Sequence, residues 1–463
     1  MHAKAAGYTH MASRRDFLLS AAATAVPVPA SRGRAQAVAL RTHEWFGDKL
    51  EQFSFPSGWR IDVRQMNGWR TPALSSADIN RAIRNPVGTR PLRDIAAGKR
   101  TVTIAVDDLT RPTPVNEIVP HVLEELQAAG IRDENILFVM GHGTHRQVDS
   151  IEVAKKLGPG VAARYPWINH NVWDNQVDLG TTKSGNRVLI NCYYYRADVR
   201  ITISGVKRHS AAGYAGGPKM ILPGVSGFPS IRHFHDRARM RETRPRVDPD
   251  GREIIRMWDN EARQDMIEAA RRAEVAFSVQ VVYNQERRPV HVVAGDIVAA
   301  HHQAARYAVN HLATEYASNA DVIVVNGYPK AAQVHEQFGW GARGLKDGGS
   351  IVIINQLPGG EYVWHYLVEA WRNEENETAS YFELRAARKR RFPQARQVLF
   401  YSQYLQQREL DHLSFPPEAV GCRSWADVVA RLEREHKGDV NVAVYPYAGL
   451  QHGVATLDLP DNV

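Results

Sequence analysis

The chain has 463 residues, 44% of them apolar, with a formal charge of +8 and two cysteines. These figures allow a substantial buried core in two or three domains and exclude disordered, collagen-like and disulfide-scaffold classes. Lys4, Arg14, Arg15, Arg32 and Arg34 against Asp16 put +4 on the first 37 residues and leave +4 on the rest, too little to argue for nucleic acid. Cys192 and Cys422 cannot build a thiolate cluster, and the sequence leaves open whether they pair.

The amino terminus reads as an address label. Ser13-Arg14-Arg15-Asp16-Phe17-Leu18-Leu19 precedes an apolar stretch through Val28, and Ala35-Gln36-Ala37 offers small residues where a signal peptidase cuts. Residues 1–37 are therefore expected to be a twin-arginine-type signal peptide that sends a folded protein to the periplasm. An arginine pair ahead of a short amphipathic helix is the plainer alternative. No other segment nears the ~20 apolar residues that cross a bilayer.

Past Ala37, strands and helices alternate. A strand over 101–106 ends in Asp107-Asp108, a helix over 114–129 stops at Gly130, and a strand over 136–140 ends in Gly141-His142-Gly143-Thr144-His145-Arg146. Parallel sheets gather polar chemistry at the carboxyl ends of strands, so Asp108 and His145 are expected to face one crevice. A third strand over 199–204 runs into Gly205 and His209. Further on, the pattern predicts a charged helix over 251–273, strands over 275–283 and 291–293, and a helix over 300–313. Strands over 321–326, 350–355 and 398–401 follow, and 386–391 reads as a solvated basic helix face. The expected fold is two α/β domains with mostly parallel sheets, 38–304 and 305–448, with 449–463 returning to the first and the active site in the cleft between them.

Several side chains have chemistry to match. In Asp108-Leu109-Thr110-Arg111 an acid and a guanidinium stand three apart on a strand-to-helix turn, where Arg111 can clamp a carboxylate. A helix cap with a structural salt bridge is the dull alternative. His145, on a glycine-bracketed turn, suits proton transfer near neutral pH. Gly213-Tyr214-Ala215-Gly216-Gly217-Pro218-Lys219 lacks the spacing of a phosphate loop, and no Ser or Thr follows the lysine. Its glycines let backbone press against a ligand, and Lys219 in so tight a turn is a candidate nucleophile or covalent tether. His233 and His235 are too close for a helical zinc pair, so one imidazole there can hold a metal only with donors from elsewhere.

Taken in order and spacing, Asp108 to Arg111, Gly141 to Arg146 and His209 to Gly224 resemble the nickel-pincer lactate racemase family. The resemblance covers nearly all the chain beyond the leader. It implies a pyridinium-derived pincer nucleotide joined to a lysine, with nickel held by two sulfurs, a ring carbon and a histidine, a flat donor set that suits Ni(II). Lys219 matches the tether, His235 the nickel ligand, and Thr110, Gly216 and Gly217 the cofactor's surroundings. His145 and His209 match two acid/base histidines, with Asp108 and Arg111 orienting the assembly. The implied activity takes a hydride from C2 of a 2-hydroxy acid or sugar acid and returns it to the other face. The implied partners are the cofactor-biosynthesis enzymes and the twin-arginine export machinery.

The second domain departs from the family. Where a Tyr-Gln pair and then a lysine usually follow a Gly-Tyr-Pro-like turn, this chain has Gly327-Tyr328-Pro329 and then His335-Glu336-Gln337-Phe338-Gly339. The usual lysine is missing. Lys330, His335, Glu336 and Trp340 are expected to shape a pocket for an acid larger or more hydroxylated than lactate. Two rival functions stand beside the racemase: an exported binding protein with the fold but no turnover, and a nickel-free histidine-based lyase or isomerase.

Overall fold

The structure, a computed structural model, describes residues 36–236, 246–360, 380–411 and 415–460. Most of the expected signal peptide lies outside the described residues. Gln36 and Ala37 open a strand, Gln36–Thr42, that pairs antiparallel with Lys49–Phe55.

Two six-stranded sheets pack into one compact body. The first runs in the order Pro289–Gly295, Phe277–Tyr283, Val199–Gly205, Val102–Val106, Ile136–Met140 and Trp167–Asn169. Only its Pro289–Gly295 edge is antiparallel. Every residue of Val102–Val106 is buried, as a parallel strand covered on both faces requires. The helix that follows, Val115–Ala128, turns Val115, Ile118, Val119, Val122 and Leu126 inward at three- and four-residue spacing and so roofs one face.

The second sheet is parallel throughout, in the order Ala419–Cys422, Gln397–Tyr401, Leu345–Ile354, Ala320–Asn326, Asn441–Tyr445 and Arg60–Val63. Its last strand comes from the beginning of the chain. Leu40, Phe53, Phe55 and Trp59 pack with Val322, Val324 and Val352 in one apolar cluster. Residues 38–63, expected within the first domain, instead pack onto the second sheet, where their alternating apolar side chains find cover. The end of the chain runs back: Ala455–Leu457 pairs with Glu253–Ile255, whose Ile255 belongs to the core beside the first sheet.

Two local expectations are corrected. The helix expected over 251–273 starts later, as Glu261–Arg272, because the Asn260 side chain caps it and the preceding residues form the strand Glu253–Ile255. The basic run over 386–391 is not a helix face. Its helix, Tyr381–Ala386, ends where the run begins, and Arg388 and Arg390 donate to the carbonyls of Leu410 and Ala395. Cys192 and Cys422 are both buried free thiols.

Candidate active site

The carboxyl ends of Val199–Gly205, Val102–Val106 and Ile136–Met140 lie side by side in the first sheet, and the residues after each strand line one open cavity. Asp108 and Arg111 come from the turn after Val102–Val106, His142 and His145 from the turn after Ile136–Met140, and His209 from the turn after Val199–Gly205. Gly216, Lys219 and His235 close another wall, and the segment after Ala320–Asn326 in the second sheet supplies Gln333 and Glu336. Strand polarity in two sheets thus gathers side chains more than 200 residues apart.

Asp108 and His145 form a pair. His145 Nδ1 stands 2.8 Å from Asp108 Oδ2, and the Thr110 hydroxyl donates to Asp108 Oδ1. Burial alone would raise the Asp108 pKa, but His145 and Arg111 outweigh it and hold the carboxyl far below its ordinary range. An ionised Asp108 accepts a hydrogen bond from Nδ1–H, which places the lone pair of His145 on Nε2. The Gln333 amide, 3.3 Å away, donates to that nitrogen while its Oε1 accepts from Arg111 Nη1 at 2.7 Å. Burial, acting against the pull of Asp108, keeps the His145 pKa below the usual imidazole value.

His209 is fixed the other way round. The backbone N–H groups of Ala211 and Ala212 both donate to its Nδ1 at 3.2 Å, so the proton of the neutral ring sits on Nε2. Burial first, and Lys219 next, press its pKa well below 6.5. One imidazole presents a lone pair at Nε2 and the other an N–H. The two rings are neutral and complementary, an acceptor and a donor on one cavity.

Lys219 is brought in by the glycine turn. Gly216 has φ +85°, and a Cβ there would stand 2.8 Å from the Gly205 carbonyl, so only glycine allows the turn. Burial and Arg111 push the Lys219 ammonium down to about pKa 7, leaving much of it as nucleophilic amine at neutral pH. His235 has its Nδ1 2.9 Å from the Ile231 carbonyl, which fixes Nδ1–H and places the lone pair of the neutral ring on Nε2. Burial, then Lys219, push its pKa down to about 3, so the ring is neutral, as a metal ligand must be.

Some expected residues serve differently. Thr110 does not line the cavity: its hydroxyl joins Asp108 to Arg111, accepting from Nη1 at 2.8 Å. Gly217 is spent on the turn, its N–H donating to Gln280 Oε1 at 2.8 Å and its Cα crowded by His301. Trp340 lies away from the site, stacked among Tyr316 and Tyr445 with ring centroids 5.1 and 4.4 Å away, because its indole completes an apolar cluster on the second sheet. His335 does not line the cavity either. Sequence reasoning gave no role to Gln333, Lys207 or His142. The one available signal for Gln333 was its position between the Tyr328-Pro329 turn and Glu336.

A parallel-sheet scaffold that holds an Asp–His pair, a second histidine of opposite polarity and a near-neutral lysine around one cavity is an α/β arrangement suited to proton transfer. The chain matches, over residues 46–247, a family model described as the lactate racemase N-terminal domain, which supports an isomerase of the racemase/epimerase kind. It is 29% identical over 308 residues to a lactate racemase of Thermoanaerobacterium thermosaccharolyticum, covering 64% of this chain and 70% of that one. A lactate racemase of Lactiplantibacillus plantarum is 27% identical over 321 residues, covering 66% and 73%. In fold the chain is similar to the lactate racemase apoprotein from T. thermosaccharolyticum, with a TM-score of 0.65 at 21% identity over 90% of this chain and 99% of that one. It is also similar to a crystal structure of a Thermotoga maritima protein, with a TM-score of 0.57 at 14% identity over 83% and 99%. The expected α/β fold class with mostly parallel sheets is borne out.

Proposed function

We propose that the chain inverts C2 of a 2-hydroxy acid with the help of a nickel-pincer nucleotide attached through Lys219 and ligated through His235. The residues fit such a group. Lys219 offers a reactive amine, His235 a neutral imidazole, and His142, a residue of the cavity lining, has a buried Nε2 with no hydrogen-bond partner among the described residues. Among the described residues no three His, Cys, Asp or Glu side chains converge on one point, so a metal at His235 needs donors from a bound group. When bound, the pincer supplies a hydride acceptor and donor for substrate C2.

The protein's own part is positioning and proton handling. Arg111, held at Nη1 by Thr110 and Gln333, presents its planar fork to the substrate carboxylate. His145 Nε2 takes the hydroxyl proton, and ionised Asp108 stabilises the imidazolium that results. His209 Nε2–H donates a hydrogen bond to the same oxygen once it has turned toward the second ring, and the proton held by His145 is returned to that oxygen, which leaves both rings neutral. The observation that carries this reading is that His145, His209 and Lys219 share one cavity.

The test is production together with cofactor-biosynthesis enzymes, followed by intact mass, nickel content and chiral chromatography of a 2-hydroxy acid panel. An adduct on Lys219, bound nickel and inversion support the reading. An adduct without inversion of any acid favours the binding protein, and inversion without adduct or nickel favours the metal-free isomerase. Export as a folded protein to the periplasm by the twin-arginine route is inferred from Arg14-Arg15 and the apolar stretch after them, and fits a cofactor that must be installed before transport.

A further inference from the structure

The segment that departs from the family carries an ion cluster with no part yet in the chemistry. Glu336 Oε2 lies 3.4 Å from Lys207 Nζ and is also bonded to Lys330 Nζ. Lys330 is fully buried and Lys207 is 4% exposed, and neither lines the cavity. Glu336 does line it, with 31% of its side chain exposed. What a ligand meets on this wall is therefore the carboxylate and not the two ammoniums behind it. Burial opposes the charge on Glu336, but Lys330, Lys207 and Arg111 outweigh it and keep the carboxyl ionised. A permanently charged acceptor set into a cavity wall calls for a donor. An alkyl tail would strip water from it and return nothing.

Resting on the reading of this cavity as a 2-hydroxy acid site, we propose that Glu336 selects the substrate by accepting a hydrogen bond from a hydroxyl at C3 or beyond. The substrate class is then polyhydroxylated 2-hydroxy acids, not 2-hydroxy acids with an alkyl tail or a second carboxylate. A second carboxylate would face the Glu336 charge at close range.

Calorimetric titration of the holoprotein with matched pairs tests this. Glycerate and lactate differ by one C3 hydroxyl, gluconate and 2-hydroxyhexanoate by four, and malate probes a second carboxylate. Tighter binding of the hydroxylated member by about 10–100-fold is expected in each pair, the worth of a hydrogen bond to a charged group. In Glu336→Gln, which keeps the shape but removes the charge, that preference should shrink at least threefold or so, since a charge-assisted bond is about twice as strong as a neutral one. Equal binding of each pair by the wild type, tightest binding of malate, or an unchanged ratio in E336Q would overturn the assignment. Binding and turnover are read separately. Selective binding without epimerisation sinks the racemase reading and leaves this one standing, whereas epimerisation of both members with equal kcat/KM sinks this one alone.

Discussion

Replacing Asp108 with Asn removes one charge from the site and almost no volume. In the wild type the ionised carboxylate lies 2.8 Å from His145 Nδ1 and also accepts from the Thr110 hydroxyl. The substituted amide can still accept from Thr110 but no longer stabilises an imidazolium. A hydrogen bond to a charged group is worth about 1.5–3 kcal/mol, and each 1.36 kcal/mol is a factor of ten, so kcat is expected to fall by roughly 10–150-fold. Nickel content should not change, because Asp108 lies on a different turn from Lys219 and His235. The pH profile gives a second reading. Asp108 raises the His145 pKa against burial, so its loss lowers that pKa and the acid limb of kcat/KM moves to lower pH. The assay is chiral turnover of loaded enzyme from pH 4 to 9, with nickel measured on the same samples. An unchanged kcat, or an acid limb that moves upward, would refute the Asp108–His145 pairing as the source of proton-accepting power.

Other consequences are as direct. Lys219→Ala should abolish the covalent adduct seen by intact mass, and a stoichiometric adduct in that variant would remove Lys219 as the tether. His235→Ala should keep the adduct but lose most of its nickel, as read by elemental analysis; full nickel occupancy would exclude His235 as the ligand. Nitrogen NMR of His209 should show a protonated Nε2 and an unprotonated Nδ1 across neutral pH, and an Nδ1–H signal would contradict the hydrogen bonds from Ala211 and Ala212. Glu44, fully buried, has its carboxyl pushed by burial to about pKa 8 from 4.5. A raised carboxyl stabilises the fold while protonated and loses that contribution as pH climbs through 8, so Glu44→Gln should flatten the decline in unfolding stability between about pH 5 and 8 by an amount on the order of a few kcal/mol.

The sequence made the first sheet legible because three of its strands are apolar runs that end in glycine, acid or histidine, and the rule that ligands sit at such ends needs no tertiary detail. It could not show that Arg60–Val63 joins the second sheet. Strand pairing between Arg60–Val63 and Asn441–Tyr445 spans almost the whole chain, and no local pattern encodes it. Asp108, His145, His209, Lys219 and His235 could be placed by motif, but their protonation states could not, since these depend on the partner each Nδ1 finds. Trp340 was misread because an aromatic beside a functional turn looks the same whether it faces a ligand or a core. Lys207 passed without a role because its partner, Glu336, lies 129 residues further on.

In the proposed reaction C2 is inverted by hydride passage while the two histidines handle only the hydroxyl proton. Loaded enzyme given a 2-hydroxy acid carrying deuterium at C2, in ordinary water, tests it most directly. The inverted product is expected to retain its C2 deuterium. Product with hydrogen at C2 would mean that a side chain removes the C2 proton itself, and would contradict the roles assigned to His145, His209 and Lys219.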